Sequence, residues 1–121
     1  MNSQVCDKNV WQELREFEKN EGAEGFFKQL LQAVLTTAQP VMDSLVKSSV
    51  EGDVKKTHYY AHNLKSTCAS LGAKSLAQKL GVIETGCKEV EPVIHHHVIA
   101  EAKAEFTLFL NEVQEEFNRI N

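Results

Sequence analysis

The chain has 121 residues, the length of one domain, which is enough to bury a core without disulfide or metal staples. Thirteen Lys and Arg against 17 Asp and Glu give a net charge of −4, which argues against nucleic acid as a partner. Hydrophobic residues make up 42% and charged residues 25%, as in an ordinary globular protein. Three cysteines, at 6, 68 and 87, match no zinc or disulfide framework, so reduced thiols in a cytoplasm are the simplest reading. No run of about 18 apolar residues predicts a membrane span. Met1 to Lys8 lacks the basic and apolar regions of a secretory signal. The expected location is cytoplasmic, with no membrane partner.

A first helix is expected from about Lys8 to Lys19, with Asp7 as N-cap. Val10, Trp11, Leu14 and Phe17 give it an apolar face that covers one end of a core. Asn20-Glu21-Gly22 ends it. A second helix runs from about Ala23 into the high forties, carried by Phe26, Phe27, Leu30, Leu31, Val34 and Leu35, then by Val41, Met42, Leu45 and Val46. Pro40 lies between the two sets, where it is expected to kink or interrupt the helix.

Val50-Glu51-Gly52 reads as a turn and Asp53 as the next N-cap. The third helix, from about Glu51 to Gly72, gathers Tyr60, Leu64, Thr67, Cys68 and Leu71 on one side at about 100° per residue. Cys68, beside this stripe, reads as a small buried hydrophobe. His62 points away from the stripe. Lys55, His58, Lys65, Ser66, Ala69 and Ala73 are predicted to share its side. A packed core does not need an imidazole among small side chains with a lysine three residues on. A histidine that another macromolecule must reach does.

Gly72 is placed to close this helix in the left-handed conformation. A fourth helix follows from about Lys74 to Thr85 or a little beyond, with Leu76, Leu80 and Ile83 apolar and with Gly81 and Gly86 weakening it. Pro92 suits the first turn of a last helix. That helix reaches about Arg119, with Val98, Ala102, Phe106, Phe109, Leu110, Val113 and Phe117 at helical intervals. The fold class is all-α: one domain over residues 1–121, an up-down-up-down four-helix bundle with an additional short N-terminal helix.

His62, Leu64, Lys65, Ser66, Leu71, Gly72, Ala73, Leu76 and the pair Ile83-Glu84 stand in a pattern that resembles the histidine-containing phosphotransfer (HPt) domain of multistep phosphorelays. Ser66 stands where glycine is commonest in that family, and Ile83 where leucine is usual. The resemblance implies that His62 accepts a phosphoryl group from a receiver-domain aspartate of a sensor kinase and relays it to a response regulator. It implies no cofactor of the chain's own, because the receiver brings Mg²⁺. It gives Lys65 a place at the phosphoryl oxygens, one turn from His62. It also gives Glu84 the family's acidic or amide position, either orienting His62 or lying on the surface.

Ser66 offers small volume and a hydroxyl for a phosphate oxygen, and Ala69 offers shape alone. An imidazole suits the chemistry because its ordinary pKa, about 6.5, leaves one nitrogen unprotonated near neutrality. No glycine-rich or Walker-type ATP site exists, so self-phosphorylation is not expected. The apolar residues are accounted for by one bundle, which makes a monomer the expectation, and a chain opening at Met1 reads as a free-standing carrier.

Two rival readings compete with the carrier. One is a plain helical adaptor in which His62 is incidental. The other is a metal-binding bundle using His58 and His62, whose i, i+4 spacing puts both imidazoles on one helix face without an acidic residue on the adjacent turns. His95-His96-His97 point in three directions and read as a partly exposed helix start.

Overall fold

Helix starts follow from whichever group satisfies the first free backbone N–H groups. In the computed structural model, which describes residues 4–120, α1 spans Lys8–Asn20, and the Asp7 carboxylate caps it by accepting from Asn9 N at 2.9 Å. Asp53 does the same for α3 (Val54–Ser70), accepting from Lys56 N at 3.1 Å. α2 (Phe26–Val50) starts three residues later than Ala23, because Gly25 takes a left-handed φ of 86° and breaks the helical path. The Glu18 carboxylate then accepts from Phe27 N at 2.7 Å. α4 covers Lys74–Cys87 and α5 covers His96–Arg119. The described residues are all-helical, with five helices and no strand.

Pro40 does not interrupt α2, which runs through it. The ring lies on the exposed face, so the carbonyl it leaves unpaired one turn earlier is open to hydration. Thr36 and Thr37 turn their hydroxyls back onto the preceding turn, bonding the carbonyls of Gln32 and Ala33. Ala38, outside the expected stripe, is buried and joins its two halves. Pro92 is likewise not the start of the last helix: Glu91 to Ile94 lie outside α5, which begins at His96. Gly81 and Gly86 do not shorten α4. A Cβ on Gly86 would fall 2.6 Å from His95 Cδ2 and 2.7 Å from the Val93 carbonyl, so glycine lets the 88–95 segment lie against the helix.

The core line of α3 is Thr57, Ala61, Leu64 and Cys68, rotated slightly from the expected stripe, and Tyr60 and Thr67 are half-buried at its edge. Phe17 is 50% exposed rather than part of the core, and its ring meets that of Phe26 edge-on at 5.4 Å. All three cysteines are free and buried, and burial pushes the Cys6 and Cys68 thiols up to about 12. α2 packs on α3 and α5, α4 packs on α3 and α5, and α1 lies against α2. Fully buried Leu31, Met42, Leu45, Leu64, Leu80, Ile83, Phe106 and Phe109 fill the interior. Each contributes about 1.5–3 kcal/mol of burial. Among the described residues no helix is long and apolar enough to cross a membrane.

The N-terminal segment clamps the α3–α4 turn. Trp11 Nε1 donates to the Leu71 carbonyl at 2.8 Å, and Asp7 N donates to the Gly72 carbonyl at 3.0 Å. Gly72 closes α3 with φ of 78°, its N–H on the Ala69 carbonyl and that of Ala73 on Cys68. A Cβ at Gly72 would sit 3.0 Å from the Asp7 carbonyl oxygen and 3.1 Å from Asp7 N, whereas at Gly22 (φ 66°) it would meet nothing within 4 Å. Gly22→Ala is therefore expected to cost only the left-handed backbone penalty, about 1–2 kcal/mol. Gly72→Ala is expected to cost more, because the clamp must also move. Urea midpoints of the two variants check this ordering.

Candidate functional site

The α3–α4 hairpin sets which side chains meet. Its buried seam consists of Ala61, Leu64 and Cys68 on one helix and Leu76, Leu80 and Ile83 on the other. Glu84, next after Ile83, therefore lies on the flank of α4 that faces α3, and its side chain is only 7% exposed. His62 projects outward with 57% of its side chain exposed.

Glu84 is the hub of a cluster that the sequence divided between two helices. Its Oε2 lies 2.8 Å from His62 Nδ1, and its Oε1 lies 2.6 Å from Lys65 Nζ. His58 Nε2 stands 3.5 Å from the same Oε2, and Lys88 Nζ 3.9 Å. The rings of His58 and His62 lie nearly parallel, 8° apart, with centroids 6.4 Å from each other. Burial alone raises the carboxyl's pKa. The hydrogen bonds and charges of Lys65 and His62 outweigh it and hold Glu84 below its ordinary value. An ionised carboxylate only accepts, which assigns the donor role to His62 Nδ1–H. The neutral imidazole then keeps its lone pair on Nε2.

The remaining expected residues divide. Ser66 is exposed, and its hydroxyl bonds back to the His62 carbonyl at 3.4 Å. Ala69 is exposed beside it. Ala73 does not share the His62 side: α3 ends at Ser70, the chain turns at Gly72, and Ala73 is buried at the start of α4. Lys65 is held by Glu84 rather than lying free in solvent. Lys88 went unnoticed in the sequence, although its i+4 spacing from Glu84 was a usable signal. Beside Lys65 a groove of about 620 Å³ opens along α4, bordered by Gly81, Val82, Thr85 and His95. His95 is half-buried, while His96 and His97 are exposed. Among the described residues no group of three or more His, Cys, Asp or Glu is disposed to hold a metal ion.

The family model of the Hpt domain matches residues 29–121, and the chain belongs to that family. It takes part in histidine phosphotransfer in phosphorelay signalling, in which members relay phosphate between receiver domains. The structure is similar to the crystal structure of histidine-containing phosphotransfer protein B (HptB) from Pseudomonas aeruginosa PAO1. The TM-score is 0.81 at 21% identity over 98% of each chain. No curated protein matches the sequence.

The depressed pKa of Glu84 has a definite sign for stability. The folded chain holds this carboxylate ionised more firmly than the unfolded chain does. That stabilisation is present at neutral pH and lost as pH falls through and below the ordinary carboxylate value of about 4.3. Glu84→Gln is expected to lower the unfolding free energy at pH 7 by about 1–3 kcal/mol, the cost for a buried charged hydrogen-bond partner, and with it the urea midpoint. It is also expected to flatten the stability change between pH 7 and about pH 3.5, with both midpoints measured for each protein.

Proposed function

We propose that His62 is the phosphoryl acceptor, and one observation carries the assignment: its exposed imidazole is the one that donates Nδ1–H to buried Glu84 at 2.8 Å. The Nε2 lone pair attacks the phosphorus of a receiver's aspartyl phosphate. The bond between phosphorus and the carboxyl oxygen breaks, the aspartate leaves as carboxylate, and an N–P bond forms. The ring retains its Nδ1 proton and becomes cationic, and Glu84 is the counter-charge that stabilises it. This is the role an acidic partner plays for a histidine in hydrolytic triads. The reverse sequence delivers the group to a second receiver. Phosphoryl transfer demands little beyond positioning and charge neutralisation, so one oriented imidazole suffices on this side.

Lys65 is the cation for the transferred group: on leaving Glu84 Oε1 its flexible stem can follow the phosphoryl oxygens, which add negative charge one turn away. Exposed Tyr59 on α3 and Val82 on α4 offer apolar contact, and small Ser66 and Ala69 leave room for a receiver to approach. The partners in this reading are the receivers of a hybrid sensor kinase and of a response regulator, which supply Mg²⁺. Nucleic acid and membrane are not partners. The chain acts as a cytoplasmic monomer, a single domain over residues 1–121. α2 to α5 form an up-down-up-down four-helix bundle, consistent with each packing on two neighbours.

Incubation with phosphoramidate, or with a phosphorylated receiver domain, tests the assignment. Wild type is expected to take up an acid-labile, alkali-stable phosphoryl group that His62→Gln cannot, while His58→Gln still can. Glu84→Gln is expected to slow labelling roughly 10- to 100-fold, the rate equivalent of losing one charged hydrogen bond in the transition state. Label that survives in His62→Gln would sink the reading.

A further inference from the structure

Lys65 Nζ lies 2.6 Å from Glu84 Oε1, and His62 Nδ1 donates to Oε2 at 2.8 Å. These contacts do not use up the carboxylate, because each of its oxygens accepts two hydrogen bonds. Glu116 shows this in the same molecule: its Oε1 takes both Nε and Nη2 of Arg119. Glu84 Oε2 therefore has an acceptor position left. His58, one turn before His62 on α3, has its Nε2 3.5 Å from that oxygen. The His58 side chain is 31% exposed, yet its Nε2 is buried and has no hydrogen-bond partner. Among the described residues Glu84 is the one carboxylate within 4.0 Å of that nitrogen. A buried polar nitrogen costs free energy until it is paired. Here pairing needs a movement of only about half an ångström.

We infer that His58 is a positioning residue that works together with His62: its Nε2–H closes onto the free acceptor position of Glu84 Oε2 when Lys65 leaves Oε1 for the phosphoryl group. The inference rests on the roles proposed above for His62, Lys65 and Glu84. A bare Nε2 lone pair would face the carboxylate oxygen at 3.5 Å with nothing between them, which is repulsive. The carboxylate therefore selects the His58 tautomer that carries its proton on Nε2. The two rings lie 8° from parallel on successive turns, each with one nitrogen beside Oε2.

Before transfer the Lys65 ammonium satisfies Oε1, and the contact with His58 stays long. Once Lys65 follows the transferred group, a carboxylate with only 7% of its side chain exposed has little water to turn to. Lys88, the other group near Oε2, stands farther off at 3.9 Å with 63% of its side chain in solvent. The bond from His58 then replaces part of what Lys65 supplied. It holds the carboxyl group facing His62 Nδ1 and so keeps the counter-charge against the cationic ring. Hydrogen bonds in a resting site are often long and tighten in the reacting complex. No proton changes owner at His58, which separates its role from that of His62.

Initial rates of phosphoramidate labelling at one fixed pH test the role. His58→Leu keeps bulk without a donor, whereas His58→Gln keeps an N–H at about the reach of Nε2. His58→Leu is expected to label about three- to tenfold more slowly than wild type, the rate equivalent of one hydrogen bond, and His58→Gln to recover most of the rate. In a Glu84→Met background, which lacks the acceptor, adding His58→Leu is expected to change the rate less than about twofold. No loss in His58→Leu, no recovery in His58→Gln, or an equal loss in both backgrounds overturns the inference. The ¹⁵N and ¹H signals of the His58 ring give a readout that needs no labelling. Nε2 is expected to be protonated, and its N–H signal to move downfield in Lys65→Met, where the carboxylate has lost its other donor. A bare Nε2, or an N–H signal indifferent to Lys65, overturns the inference too. If wild type does not label, the acceptor assignment fails instead. In that case, or if a variant does not fold or labels too slowly to compare, the His58 signals of wild type and Lys65→Met decide alone.

Discussion

A single buried carboxylate organises the α3–α4 face of this molecule. Glu84 sits on the flank of α4 where that helix faces α3, and removing an ion from water costs several kcal/mol unless partners compensate it. Every compensating group but one comes from α3: His58, His62 and Lys65, on successive turns of one face. Lys88 alone comes from α4 itself, and at a longer distance. Burial and function therefore pull in the same direction. The carboxylate must collect these groups to be tolerated, and in collecting them it fixes the tautomer and orientation of the imidazole. His62 is exposed and at the same time anchored by a hydrogen bond.

That arrangement depends on the α3–α4 turn, and the turn depends on the N-terminus. Gly72 takes a left-handed conformation directly against the backbone of Asp7, and the Leu71 and Gly72 carbonyls are held by Trp11 and Asp7. The segment that makes this clamp is fastened at its other side by Glu112 of α5. That carboxylate accepts from the backbone N–H groups of Val5 and Cys6 and pairs with Lys8. Burial pushes Glu112 up, but these donors prevail and hold it below its ordinary value. The register of α3 against α4, which decides whether Glu84 meets His62, is thus braced by residues far from the site in sequence.

Much of the fold was legible because it is written in local terms. Asp7 and Asp53 cap α1 and α3 as their chemistry requires, and Gly72 ends α3 as only a residue tolerant of positive φ does easily. The misses have local causes as well. Pro40 was expected to kink or interrupt its helix, yet α2 runs through it, because a proline on the exposed face loses one hydrogen bond whose carbonyl is open to solvent. Pro92 and Gly86 were read for their helix propensities, although Gly86 is there for close packing under Val93 and His95. Phe17 belonged to the right helical face but lies beyond the edge of the core.

The sequence by itself singled out His62 as the candidate and placed it on the exposed side of the third helix, where the structure has it. The 3.6-residue period separates an apolar side from an exposed one, and the pattern of small residues, Lys65 and Leu71-Gly72-Ala73 around His62 is contiguous. It also allowed two readings of Glu84 and missed Lys88, and it offered no acidic neighbour for the His58–His62 pair. Lys88 aside, those questions concern residues 22 and 26 positions apart, brought together by the packing of α4 on α3. Only the tertiary structure decided them. Periodicity gives the face on which a side chain sits, whereas contact across a hairpin depends on the rotation and axial register of two helices, and those are set by the core side chains and the turn between them.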